Sequence, residues 1–182
     1  MTDSALKEEK ARLRVAARSR RAALATADAG GRAAAAIFAH EQLASLIAEG
    51  ATVGVYWPLG SELDTRPLIA LLHKKGVKVG LPAVVAPDAP LAFRLYRPGD
   101  ALVSAGHGSK APAEGAETLA PGLLFAPLLA ADRAGFRIGY GGGYYDRTIA
   151  SLRAAGPCVA VGFCYQAQII LRVPKDERDE RL

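Results

Sequence analysis

Residues 122–147, GLLFAPLLAADRAGFRIGYGGGYYDR, carry the pattern that decides how this 182-residue chain folds. GLLFAPLLA reads as a buried strand. Gly139, Gly141, Gly142 and Gly143 then follow Arg137, and Tyr145 to Ala155 reads as a helix. Strand, glycine turn and helix in that order form the unit of a helix-covered sheet, where ligands bind beyond strand carboxyl ends. Glycines this dense let backbone N–H groups approach a ligand with no Cβ in the way. At a helix start such a concavity suits an anion such as phosphate. Arg137 adds a planar fork for phosphate oxygens, and Asp146 a hard oxygen able to hold Mg²⁺. The plain alternative is a tight turn whose aromatics pack into the core. An arginine, an aspartate and two tyrosines crowded into one turn favour the ligand site.

Outward from that stretch, helices and strands alternate. Ser4 to about Leu24 reads as a helix rich in Ala, Arg, Lys and Glu. Asp28 to about Ala48 reads as a second, with Ile37, Leu43, Leu46 and Ile47 on an apolar stripe. Gly50 ends it, and ATVGVYWP is a short strand stopped by Pro58. Asp64 or Thr65 caps a helix carrying Leu68, Ile69, Leu71 and Leu72. VKVGLPAVV and LAFRLYR are strands about a Pro-Asp turn, residues 98–122 a long surface loop, and PCVAVGF the last clear strand. The fold class expected is α/β: a single domain over 1–182, with N-terminal helices in 1–48 and an α/β core in 51–182. A mostly parallel or mixed central sheet is flanked by helices on both faces.

Apolar residues make up 51% of the chain, enough at this length for one full core. No apolar run reaches the roughly 20 residues that span a bilayer, and the charged N-terminus lacks a secretory apolar stretch. The expected location is cytoplasmic, with no membrane partner. His40, His73 and His107 are scattered and show no zinc spacing. Cys158 and Cys164 are expected as reduced, packed thiols. Residues 1–32 hold eight basic and four acidic side chains, hence +4 of the formal +5. This fits a nucleic-acid face, a solvated helix surface, or Lys10 and Arg14, at i and i+4, reaching phosphates on the glycine loop.

The loop matches neither common phosphate signature. No Lys-Ser or Lys-Thr follows the glycines, as a Walker loop needs, and Tyr144 stands where G-x-G-x-x-G would place its last glycine. FAPLLAADRAGFRIGYGGGYYDR instead resembles the signature of bacterial 5-formyltetrahydrofolate cyclo-ligases, also called methenyltetrahydrofolate synthetases. KARLRVAARSRR (10–21) is similar to that family's basic first helix, and YWPLGSELDT (56–65) to the turn carrying its substrate glutamate. VAVGFCYQAQII (159–170) and Val173-Pro174 are similar to its closing segment.

The resemblance implies an enzyme that uses ATP to cyclise 5-formyltetrahydrofolate to 5,10-methenyltetrahydrofolate, releasing ADP and phosphate through a phosphorylated formyl oxygen. Phosphorylating an amide oxygen makes it a good leaving group, and such transfer needs positioning and charge neutralisation more than a protein nucleophile. The expected catalytic residues are Arg137, Lys10 and Arg14. These three, with Gly139, Tyr140, Gly141, Gly142, Gly143, Tyr144 and Tyr145, are expected to bind ATP. Asp146 is the expected Mg²⁺ ligand. Glu62, with Trp57 and Tyr144, is expected on the folate: a carboxylate takes two hydrogen bonds from a pterin, and Trp57 offers a flat wall. Read without the family, Trp57 is as well a core aromatic, Glu62 a solvated turn residue, and Tyr144 and Tyr145 packing residues. The other arginines of the first helix are expected in solvent. The partners implied are small molecules, not nucleic acid, and the protein is expected to be a monomer.

Two departures from the family's pattern shape further expectations. In GHGSKAPAEG (106–115), His107, Ser109 and Ala111 replace an aromatic-Gly-Ile motif, so less substrate contact is expected there. VPKDERDERL stops at Leu182 and keeps one family acid, Asp179, without the next acid or the final strand. This suggests an unusually high Mg²⁺ requirement, and as a second reading a catalytically impaired folate- and ATP-binding protein. A basic nucleic-acid-binding domain is the third.

Overall fold

A computed structural model describes residues 2–24 and 29–182. In chain order the elements are α1 (Asp3–Leu24), α2 (Ala29–Ala39), α3 (Glu41–Leu46), β1 (Thr52–Val55), α4 (Arg66–Lys74), β2 (Lys78–Ala83) and β3 (Ala92–Tyr96). There follow β4 (Val103–Ser104), β5 (Lys110–Ala111), β6 (Thr118–Leu119), β7 (Leu123–Ala126), β8 (Ala130–Asp132), β9 (Arg137–Ile138), α5 (Tyr144–Ala155), β10 (Val159–Gly162) and β11 (Ile169–Ile170).

Among the described residues the main sheet has six strands in the order β10-β7-β1-β2-β3-β6. β10, β7, β1 and β2 are parallel neighbours, whereas β3 runs antiparallel to β2 and to β6. The sheet is therefore mixed. Because strand side chains alternate, Val53 and Val55, Val79 and Leu81, and Leu123 and Phe125 share a core with Ala34, Ile37, Leu68, Ile69 and Leu72 of α2 and α4. The intervening residues Leu124 and Ala160 pack instead with Phe93 and with Ile149 of α5. Each fully buried aliphatic or aromatic side chain contributes about 1.5–3 kcal/mol of transfer free energy. Gly54 has a packing reason: a Cβ there would meet Phe93 Cε1 at 2.8 Å and Leu124 Cδ1 at 2.9 Å. α1 lies apart from these layers. Its Leu13 and Ala17 close a smaller core with Leu129, Ala130, Ile138 and Val173, beside the three-stranded sheet β11-β8-β9.

The structure corrects several expectations. The second helix, whose expected start at Asp28 lies outside the described residues, is broken at His40, where the backbone is extended (φ −86°, ψ 109°). The break separates the helical stripe into two pieces, so Ile37 and Ile47 reach the core while Leu46 stays 40% exposed. GLLFAPLLA holds β7 and only the first residue of β8; residues 127–129 between them are not strand, and the two strands lie in different sheets. Residues 98–122 are more than a surface loop: β4 and β5 form a hairpin with Ala105 and Ala111 buried, and β6 extends the main sheet. β11 follows the strand expected to be last. Both candidate caps of α4 are used differently. Asp64 accepts the Arg66 N–H, while the Thr65 hydroxyl donates inward to the Tyr56 carbonyl.

Candidate active site

The carboxyl ends of the parallel strands open into a cleft of about 940 Å³. Tyr56 and Trp57 enter it from the end of β1, Val84 from β2 and Pro127 from β7. Lys10, Arg14, Trp57, Glu62, Arg137, Gly139, Tyr140, Gly141, Gly142, Gly143, Tyr144, Tyr145 and Asp146 all line this one cleft. Residues separated by more than a hundred positions in sequence are thus brought together.

The glycine loop joins β9 to α5. Gly141 (φ +103°) and Gly143 (φ +66°) have left-handed backbones that side chains rarely adopt. Gly143 caps α5 without any side chain on the first-turn amides, which leaves those N–H groups and the positive end of the helix facing a prospective anion. α1 closes the other side. Arg14 donates from Nε to the Gly139 carbonyl at 3.2 Å, and a Cβ on Gly141 would meet its guanidinium at 3.3 Å. Lys10, only 8% exposed, pairs with Asp179 at 2.6 Å and Asp176 at 3.0 Å. Arg178, through its side chain and N–H, together with Lys10, holds the Asp176 carboxyl well below its ordinary range.

Arg137 is buried on β9. Its Nη2 donates to Asp146 Oδ1 at 2.9 Å and its Nη1 to the Glu180 carbonyl at 3.0 Å. Asp146 Oδ1 also accepts the Glu180 N–H at 3.1 Å. The cation expected on phosphate and the anion expected on metal therefore hold each other in place, between β9 and the first turn of α5.

Glu62 is buried among polar partners. Oε2 accepts the Leu59 N–H at 2.8 Å and Oε1 the Tyr140 hydroxyl at 2.9 Å. Burial pushes its carboxyl upward, opposed by those two bonds and by Arg21. Burial, then the charge of Glu62, raises the phenols of Tyr56, Tyr140 and Tyr145. Trp57 stands edge-on to Tyr96, with ring centroids 5.8 Å apart. Cys164 is pushed up to about 11 by burial and Cys158 is also raised, and both are free thiols.

Some placements differ from the sequence reading. Arg21, expected in solvent, is 3% exposed and donates to Ser61, to the Leu128 carbonyl and to the Tyr140 hydroxyl. The signal was present: Lys10, Arg14, Ala17 and Arg21 recur at helical spacing on one face of α1. His107 and Ser109, in the segment expected to contribute little, line the cleft. The His107 ring meets the Tyr144 hydroxyl at 3.3 Å. Asp176 and Arg178 also line it and had no local sequence signal. Among the described residues no helix is long and apolar enough to cross a membrane.

A family model for 5-formyltetrahydrofolate cyclo-ligase matches residues 6–182. A 5-formyltetrahydrofolate cyclo-ligase of Mycolicibacterium smegmatis is 39% identical over 128 residues, 65% of each chain. One of Escherichia coli is 34% identical over 133 residues, 70% of this chain and 72% of that protein. In fold, a 5,10-methenyltetrahydrofolate synthetase of Aquifex aeolicus matches with a TM-score of 0.72 at 23% identity, covering 95% of this chain and 86% of the other. One of Mycoplasma pneumoniae matches with a TM-score of 0.70 at 20% identity, covering 95% and 94%. With the family match running from α1 through Leu182, the chain belongs to the 5-formyltetrahydrofolate cyclo-ligase family, enzymes of the ligase class.

Proposed function

We propose that this chain cyclises 5-formyltetrahydrofolate to 5,10-methenyltetrahydrofolate with conversion of ATP to ADP and phosphate. The observation that carries this reading is the meeting, in one cleft, of an open glycine-capped helix start lined by cations with a buried carboxylate and an indole. The γ-phosphoryl group of ATP passes to the formyl oxygen and ADP departs. The second folate nitrogen of the closing ring attacks the activated formyl carbon and loses its proton. The C–O bond breaks, and the former formyl oxygen leaves in phosphate. The chain supplies no covalent nucleophile; its work is orientation and charge neutralisation.

In this reading Lys10, Arg14 and Arg137 neutralise the phosphates, and the amides around Gly141 to Tyr145 cradle them. Their rigidity is supported by the anchors already described, Asp176 and Asp179 for Lys10, Gly139 for Arg14 and Asp146 for Arg137. Glu62 accepts N–H groups of the pterin, with Trp57 and Tyr144 as walls. Asp146 suits a single Mg²⁺ contact: Oδ1 is engaged, and Oδ2 bonds no described residue. No group of three His, Cys, Asp or Glu side chains suited to a metal occurs among the described residues, but Mg²⁺ carried on nucleotide phosphates needs only one or two carboxylates. Such an ion would offset charge on the transferring phosphoryl group. The test is the appearance of methenyltetrahydrofolate absorbance from 5-formyltetrahydrofolate with and without MgATP. Turnover that needs ATP is expected, and tight folate binding without turnover would replace this reading with that of an impaired binding protein.

A further inference from the structure

We infer that Tyr140, although it sits in the middle of the glycine loop, serves the folate half of the cleft: with Arg21 it is a positioning pair that aims the Glu62 carboxylate. The inference rests on the proposed contact of Glu62 with folate. Its geometric basis is a chain of bonds joining three distant segments. Arg21 Nη2 lies 2.6 Å from the Tyr140 oxygen, and that oxygen lies 2.9 Å from Glu62 Oε1. Arginine has donors only, so the phenol accepts from Arg21 and its single proton is committed to Glu62. The direction of both bonds is therefore fixed.

Arg21 is itself immobilised. Nε donates to Ser61 Oγ at 3.1 Å, Nη1 donates to the Leu128 carbonyl at 3.3 Å, and Nη1 stands 3.8 Å from Glu62 Oε1. Tyr140 is 43% exposed, so its ring position is not dictated by packing in the core. What holds it is the hydroxyl and the flanking guanidinium groups of Arg18 and Arg21, at 5.6 and 5.5 Å from the ring centroid. On Glu62, the Tyr140 hydroxyl occupies one site on Oε1 and the Leu59 N–H one site on Oε2. Each carboxylate oxygen keeps a second acceptor site. That leaves one acceptor site on each oxygen for a ligand presenting two adjacent N–H groups. Removing the phenol frees Oε1 to rotate and deprives the buried charge of one of its donors.

The charged and titratable groups facing Glu62 are Arg21 from α1, Tyr56 following β1, Tyr140 in the glycine loop and Tyr145 of α5. Of these, Arg21 and the Tyr140 hydroxyl favour the ionised carboxylate, against the opposing effect of burial. Loss of the hydroxyl therefore raises the pH at which Glu62 ionises. The acid limb of kcat/KM for the folate moves to higher pH.

The experiment compares the parent with Tyr140→Phe, which removes one oxygen and keeps the ring, with Arg21→Lys, and with exposed Arg20→Ala as a control. For Tyr140→Phe the expected result is an increase of about ten-fold in the KM for 5-formyltetrahydrofolate. Its KM for ATP should stay within two-fold and its acid limb should be displaced upward. Arg21→Lys, which cannot hold Ser61, Leu128 and Tyr140 together, should change in the same direction, and Arg20→Ala should match the parent. Folate affinity is read independently through fluorescence of Trp57, the only tryptophan. An active parent whose Tyr140→Phe variant keeps folate KM and pH profile, or loses ATP affinity instead, overturns the inference alone. A parent that neither binds nor converts 5-formyltetrahydrofolate overturns the proposed function and this inference with it.

Discussion

Gly143→Val tests the proposed phosphate cradle apart from the rest of the cleft. Gly143 has φ +66°, and a Cβ placed there would lie 2.7 Å from Arg147 Nη1. The left-handed backbone costs a β-branched residue roughly 1–3 kcal/mol. Arg147 can swing away, but its Nη2 then gives up the Gly142 carbonyl, now 2.7 Å distant, at about 1 kcal/mol for an exposed bond. The loop escapes both costs by leaving the shape that faces its amides inward. Recovering that shape must then come out of ATP binding. A total of about 2–4 kcal/mol corresponds to weakening ATP by roughly 30-fold to several hundred-fold. Gly99→Val supplies a matched control: its φ is +93° and nothing lies within 4 Å of the added Cβ, so it carries backbone strain in a segment outside the cleft. Calorimetric titration with ATP and thermal melts on both variants separate the two effects. If Gly143→Val binds ATP within three-fold of the parent, or if Gly99→Val weakens ATP equally, the glycine loop is not the nucleotide cradle.

Lys10→Ala and Arg14→Ala should each raise the KM for ATP by about ten-fold or more while exposed Arg20→Ala does not; equal behaviour of the three would make α1 a diffuse charge surface. Asp146→Asn retains an oxygen for Arg137 and for the Glu180 N–H but lowers the local charge, so activity should be nearly abolished. Rate measured against Mg²⁺ at fixed ATP checks this, and a curve coincident with the parent would make Asp146 solely an anchor for Arg137. Glu62 has its carboxyl raised by burial, so its contribution favours folding below its unfolded pKa and is lost as pH rises through the folded value. Glu62→Gln should therefore remove a downward component from melting temperature against pH and abolish productive folate binding; parallel pH–stability curves for variant and parent would contradict the burial argument. Leu124→Ala, at a fully buried site, should cost about 2–5 kcal/mol of stability by chemical denaturation.

The parallel half of the sheet was legible because its signals are local. Val53, Val55, Leu123 and Phe125 sit in short apolar runs bounded by turn residues, and α4 and α5 announce themselves by their apolar spacing. The errors fell where tertiary pairing outweighs local pattern. Pro127 is a local sign that β7 ends, but nothing around it says that the next strand, β8, belongs to another sheet. The short β4, β5 and β6 each hold two residues, too few to impose a period of two. The break at His40 has no proline or glycine to mark it; it follows from bringing both Ile37 and Ile47 into one core.

The cleft divides along the same line, and α1 shows why. Its inward face carries Leu13 and Ala17 on the small core, with Lys10, Arg14 and Arg21 on carboxylate, carbonyl and phenol partners. A helix whose buried stripe is half cationic has no clean apolar moment, so its orientation cannot be read from hydrophobicity alone. Charge burial of this kind is tolerable only when each cation meets its counterpart. For Lys10 those counterparts are 166 and 169 residues away, and for Arg21 the phenol is 119 away. The glycine loop could be recognised because glycine density is a property of one segment. Helical spacing could place Arg21 on the buried face of α1 but could not name its partners, which meet it only after α1, the Glu62 turn and Tyr140 have closed on one another. The residues whose roles are hidden in sequence are thus those whose cost of burial is offset by partners supplied by the fold, and the same coupling ties Tyr140 to Arg21 and Glu62.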